Sequence, residues 1–263
     1  MNMSTAINPK GPRVFAPDAS PTAWTGTYLG SSVGSKILVA LTGLGLTTFV
    51  VFHMIGNLKM FAGRESINAY AYFLKHDLGA LIWIARAGLL GIFAVHIWLA
   101  LRLKARTAAA RPISYASYRP AQASLQSRVM LTTGLVVGAF TLFHLAHYTF
   151  AWVHDADLGG GRHINYLDLK DDKGHHDVYS MVIAGFTTPW ISVLYLVAQA
   201  ILLAHLTHGV QSSLQTLGLV GRRFTPAAAA LGYAVAGTIF LGNLAIVVAV
   251  WVGYLAPVYP MAK

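Results

Sequence analysis

Five long apolar runs, separated by polar stretches rich in charge, proline and glycine, set the plan of this chain. They cover approximately residues 36–58, 79–102, 128–153, 189–212 and 228–256. Each matches the roughly 20 residues with which an α-helix crosses about 30 Å of hydrocarbon. The pattern predicts an all-α fold, an integral membrane bundle of five transmembrane helices. Pro189 stands where the fourth run begins, a position at which a helix tolerates proline. The first 34 residues mix Pro, Gly, Ser and Thr with scattered apolar positions and contain no continuous apolar stretch of the signal-peptide kind, so this segment is expected to be retained.

Composition strengthens the membrane reading. Of 263 residues 56% are apolar and 11% charged, against roughly 25% charged in a soluble domain. The chain has no cysteine, which excludes disulfides, iron–sulfur ligation and haem attachment through C-x-x-C-H. The net charge of +10 reads mainly as a topology signal, and nucleic-acid binding explains it poorly. Lys104, Arg106, Arg111 and Arg119 lie between the second and third runs with no acid, and Arg222 and Arg223 lie between the fourth and fifth. These connections are expected to be cytoplasmic, where they also meet anionic lipid headgroups or an acidic partner. The third connection is acidic on balance, with Asp155, Asp157, Asp168, Asp171, Asp172 and Asp177 against Arg162, Lys170 and Lys173. Five spans then put the amino terminus inside and the carboxyl terminus outside. The expected organisation is a cytoplasmic segment at 1–34 available to a partner, a five-helix transmembrane domain at 35–258, and a short external end at 259–263.

Within the apolar runs the candidate chemistry is histidine. His53, His96, His144 and His205 each occupy a different one of the first four runs. A lone membrane histidine is more often a hydrogen-bonding or proton-relay group, but four together mark a site. At about 1.5 Å of rise per residue, His53 and His144 fall near the outer face, and His96 and His205 near the inner. The two levels are expected roughly 20 Å apart, with an error of about a turn. Paired imidazoles at two depths suit two b-type haems, each iron ligated from two facing helices. Gly43 precedes His53, and Gly134 precedes His144, by ten residues in TGLGLTTFVVFH and TGLVVGAFTLFH. Both glycines are expected near the inner pair, either admitting a flat macrocycle or simply packing helix on helix. Arg86, ten residues outward of His96, suits a propionate or a quinone oxygen, or else snorkels to the surface. His147 and His208 stand three residues beyond His144 and His205 and share a face with them. Spacing does not choose the ligand within either pair.

Several of these stretches carry a resemblance. SSVGSKILVALTGLGLTTFVVFHMIGN, INAYAYFLKHD, SRVMLTTG with HLAHY, and HLTHGVQSSLQTLG resemble the dihaem cytochrome b anchor of bacterial succinate dehydrogenases and fumarate reductases, over about residues 31–220. The resemblance implies two haem b groups, the outer held by His53 and His144 and the inner by His96 and His205, with His147, His208, Gly43, Gly134 and Arg86 as neighbours or propionate contacts. It implies a location in the bacterial cytoplasmic membrane. It also implies an iron–sulfur subunit docked on the cytoplasmic side, and a flavoprotein beyond it with FAD and the dicarboxylate site. Electrons are expected to reach a quinone, menaquinone foremost, and this chain itself has no dicarboxylate site. One departure stands out: where some fumarate reductases of this family have a glutamate two residues before the fourth-helix ligand, this chain has Leu203. Glu65, His76 and Asp77 lie in the loop where the family's quinone-site carboxylate belongs, without a secure match. Two other classes remain in view. A hydrogenase or formate dehydrogenase anchor shares the four-histidine geometry, and a haem-free proton or metal transporter uses membrane histidines but usually shows repeated halves with broken helices.

Overall fold

The computed structural model describes residues 27–110, 125–158 and 161–258. Five of its helices are long and apolar enough to cross a membrane, and the chain is an all-α, multi-pass membrane bundle. The helices are α1 (Ser32–Asn57), α2 (Arg64–Tyr72), α3 (Ala80–Ala109), α4 (Leu125–His144), α5 (Val178–Thr187), α6 (Pro189–Thr216) and α7 (Thr225–Trp251). Spans α1, α3, α4, α6 and α7 answer to the five apolar runs. The segment before residue 27, the 111–124 stretch with Arg111 and Arg119, and the end at 259–263 lie outside the described residues.

The helix ends follow local chemistry. α1 starts four residues earlier than the apolar run because Ser31 caps it, its hydroxyl accepting from the Gly34 amide at 3.0 Å. α6 opens on Pro189, which lacks only an amide that the first turn leaves unbonded anyway. α3 continues to Ala109, past the apolar run, through Lys104 and Arg106. At its other end, α4 passes into a wider π-type turn at Leu145–Thr149 before the chain leaves the span.

α6 is the central pillar. α7 packs along most of it, α1 touches α3, α6 and α7, and α4 leans on α6, while α3 and α4 meet only sparsely. The peripheral faces carry Leu81, Trp83, Ile84 and Trp98 on α3 and Leu241 and Val248 on α7, all exposed. Such faces are stable with lipid as the solvent, since backbone groups are satisfied within each helix.

At one end of the bundle the connections 58–79 and 150–188 fold onto each other. The second contributes a two-stranded ribbon, Ala156–Asp157 with His163–Ile164, and α5, a short helix buried on nearly every side. An apolar run of ten residues is too short to span, and with the fourth run beginning at Pro189 the apolar pattern left α5 inside the third connection without marking it as a helix. Asp177, 1% exposed, ties the two connections together. It accepts from Arg64 Nη2 at 2.7 Å and Nε at 3.0 Å, from Asn68 Nδ2 at 3.0 Å, and from the Ser180 amide at 3.1 Å. This is the capped face; the opposite, basic face has Lys104 and Arg106 at the end of α3 and Arg128 at the start of α4.

Candidate cofactor site

Toward the basic face, α1 seats the histidine of α3 and α4 seats the histidine of α6. A helical threonine donates its hydroxyl proton back to a carbonyl of the preceding turn: Thr42 does so to Leu38 at 2.7 Å, and Thr133 to Met130 at 3.0 Å. Each hydroxyl is therefore left as an acceptor. His96 Nδ1 lies 3.1 Å from Thr42 Oγ1 and His205 Nδ1 lies 3.2 Å from Thr133 Oγ1, so both rings carry their proton on Nδ1. The Val39 and Met130 carbonyls add a second acceptor beside His96 and His205 respectively. Nε2 of each ring keeps its lone pair, and the two imidazoles are near enough to interact electrostatically.

Gly43 and Gly134 complete these seats. A Cβ on Gly43 would come 3.1 Å from His96 Cε1, and one on Gly134 would come 2.9 Å from His205 Cε1. Both glycines thus lie beside the inner pair as their spacing predicts, but the space at each is taken by an imidazole edge, a role different from the macrocycle approach or helix packing expected from the sequence.

Toward the capped face, the rings of His53 on α1 and His144 on α4 lie 5.8 Å apart between centroids, at 85° to each other. His53 stacks on Phe49 one turn earlier, 5.5 Å away. His144 Nδ1 is 3.1 Å from the hydroxyl of Tyr195 on α6, and the same hydroxyl lies 2.9 Å from His147 Nδ1. His147 is fully buried and faces Tyr148, Tyr166 and His154 instead of His53. The i, i+3 spacing left His144 and His147 equivalent, but the π-type turn after His144 and the position of Tyr195 separate their surroundings.

The contacts also measure the distance between levels. His96 meets α1 at Gly43, ten residues before His53, and His205 meets α4 at Gly134, ten before His144. Ten residues rise about 15 Å, within the turn of error on the roughly 20 Å read from run boundaries.

The remaining candidates lie apart from these pairs. Arg86 is exposed and stacks over Trp83, 4.8 Å from the ring centroid. His208 is half-buried one turn beyond His205. Leu203 packs beside the Leu206, Ala236 and Ile239 cluster facing α7. Glu65 pairs with Lys173, and His76 stacks on Tyr72 with His175 on its other face. Among the described residues no three of His, Asp or Glu converge as a bare-metal site requires. A cleft of about 770 Å³ opens on the capped face beside Trp152, His154, Asp155 and His163, away from the four histidines.

Thr42, Thr133 and Tyr195 were not singled out from the sequence. The two threonines had a signal, since each immediately precedes its glycine in both of the matching stretches; Tyr195 had none, being one aromatic in an apolar run. Comparison of the chain with known protein families, with curated proteins and with solved structures finds no match. Fold and site together define an all-α membrane bundle with imidazoles paired at two depths.

Proposed function

We propose that this chain is the dihaem cytochrome b anchor of a succinate:quinone oxidoreductase, in which two haem b groups lie between α1, α3, α4 and α6. One observation carries the reading: imidazoles pair across helices at two levels, and His96, His205 and His144 each have Nδ1 engaged with a hydroxyl. That arrangement fixes ring orientation and leaves Nε2 for a metal, the usual second-sphere design of a ligating histidine. His53 and His144, 5.8 Å apart between ring centroids and on different helices, are the two residues that would hold one metal centre at the capped level. A bare ion wants three or four protein ligands, whereas a porphyrin supplies four and leaves two axial places. Pairs therefore favour haem over a transported ion.

Haem, when bound, supplies one-electron chemistry. The chain's share is to hold each pair in register, exclude water with the apolar helices, and keep the two levels about 15 Å apart. In this reading the basic face is cytoplasmic and receives the iron–sulfur subunit. The flavoprotein with FAD and the dicarboxylate site lies beyond it, and menaquinone or another quinone takes the electrons. The protein then sits in a bacterial cytoplasmic membrane.

The test is substitution of each candidate histidine by alanine, with haem counted per chain. Variants at His53, His96, His144 and His205 are expected to lose haem, and those at His147 and His208 to keep two. A colourless wild-type chain, correctly inserted, refutes the reading. Copurification of a flavoprotein with succinate-dependent quinone reduction separates this anchor from those of hydrogenases or formate dehydrogenases.

A further inference from the structure

Tyr195 lies on α6 with its hydroxyl between two histidines of α4, 3.1 Å from His144 Nδ1 and 2.9 Å from His147 Nδ1. A tyrosine hydroxyl has one proton to donate, so it cannot donate to both rings. If His144 binds iron through Nε2, its remaining proton is on Nδ1 and must be donated to Tyr195 Oη. The tyrosine proton then goes to His147 Nδ1, and His147 keeps its own proton on Nε2. That nitrogen is buried and, among the described residues, meets no hydrogen-bond partner; neither does the neighbouring Tyr148 hydroxyl.

Resting on the dihaem reading above, we propose that Tyr195 is the positioning residue of the capped-face haem. It accepts from His144 and thereby orients it as the ligand, and it donates to His147, fixing the tautomer of that ring and holding it out of the coordination sphere. Hydrogen-bond donation by Nδ1–H makes a ligating imidazole more basic, which favours ferric iron. The two levels are not equivalent in this respect. At the basic level the corresponding acceptors are threonine hydroxyls and backbone carbonyls on α1 and α4, whereas at the capped level the acceptor is a hydroxyl shared with a second histidine. The packing around Tyr195 is aromatic, with Phe140 at 4.9 Å and Phe186 at 5.2 Å between centroids, so phenylalanine preserves the shape of this site.

The experiment is potentiometric titration of the full-length purified protein as wild type, Tyr195→Phe, His147→Phe and the double variant, with haem content and the low-temperature paramagnetic resonance signature of each haem. Tyr195→Phe is expected to keep two haems per chain and raise the potential of one. The shift should be about tenfold in the reduction equilibrium, ~59 mV for a one-electron couple. The other potential stays where it is. His147→Phe should move the same haem less, and the double variant no further than Tyr195→Phe alone, because both act through one hydrogen bond. Two haems with both potentials unmoved in Tyr195→Phe overturn the inference alone, as does a shift confined to the haem that His96→Ala removes. Should Tyr195→Phe not accumulate, His147→Phe decides: no change at either haem overturns the inference. A wild-type chain that binds no haem overturns the dihaem reading and this inference with it.

Discussion

Alanine in place of Gly134 puts a methyl where an imidazole edge already lies. Its Cβ would stand 2.9 Å from His205 Cε1, about 0.6 Å inside the ~3.5 Å at which carbon atoms touch. The ring cannot simply withdraw, because Nδ1 is engaged with Thr133 Oγ1 at 3.2 Å and the Met130 carbonyl lies beside it, both on the same helix as the new methyl. Overpacking of this kind costs about 1–3 kcal/mol. If this level holds a haem as proposed, that is a roughly 5- to 150-fold weaker hold on it. Gly43→Ala meets His96 Cε1 at 3.1 Å, an overlap of about 0.4 Å, and should act in the same direction but less. Gly237→Ala in α7, whose Cβ meets nothing within 4 Å, is the control and should be neutral or gain up to about 1 kcal/mol of helix propensity. Haem per chain in the reduced pyridine adduct, read with the melting temperature in detergent, ranks the three. A Gly134→Ala protein with two haems, wild-type potentials and an unchanged melting temperature would refute the seat described for His205, as would a larger effect at Gly43.

Two further expectations concern the capped face. Asp177→Ala should destabilise the contact between its two connections by about 3 kcal/mol, since it strips Arg64 of a nearly buried partner; limited proteolysis within 150–188 should accelerate while haem content holds. Burial opposes ionisation of Asp177, but hydrogen bonds from Arg64, Ser180 and Asn68 outweigh it and hold the carboxyl below its ordinary 3.8. Its stabilisation is therefore complete above pH ~4 and is lost as acid passes below that value, a limb of the melting profile that Asp177→Asn should lack. His176 behaves oppositely in range: burial first, then Lys75 and Lys170, push it down to about 4, against the attraction of Asp177. The folded chain thus keeps this imidazole neutral while the unfolded chain protonates it near 6.5, and stability should fall between pH 6.5 and 4. His176→Phe should flatten that interval; a profile as steep as wild type would assign the loss to other groups.

Much of the bundle was legible because membrane spans announce themselves by length and hydropathy alone. Five apolar runs became five long helices, and the acidic third connection joined the loop that begins at Leu58, as an up-and-down arrangement of α1, α3, α4 and α6 requires. The capped face was less legible. Asp177 looked like one acid among six, and nothing local marks it as the residue that Arg64, 113 positions away, would find. The same limit applies to the site. Four histidines in four spans were visible as a set, but the choice of His144 over His147 as the neighbour of His53 depends on the π-type turn at Leu145–Thr149 and on Tyr195 arriving from α6. Periodicity places residues on a face; it does not say which hydroxyl will come to meet them.

The pairing of histidines at two levels follows from one device used twice. Val39, Thr42, Gly43 and His53 on α1 recur on α4 as Met130, Thr133, Gly134 and His144, at intervals of three, one and ten residues. Carbonyl, hydroxyl and glycine make a socket for an imidazole from a neighbouring helix, and the histidine ten residues on is the imidazole this helix offers in return. Ten residues at about 100° each bring a helix through nearly three turns, short by roughly 80°. A socket and the histidine above it therefore point to different neighbours. On α1 the socket addresses α3 through His96 while His53 addresses α4; on α4 the socket addresses α6 through His205 while His144 addresses α1. Four helices are thereby cross-linked at two depths without any helix carrying more than one of the four paired histidines. The height between the levels is set by the ten-residue rise along α1 and α4, so it is insensitive to the length and composition of every loop.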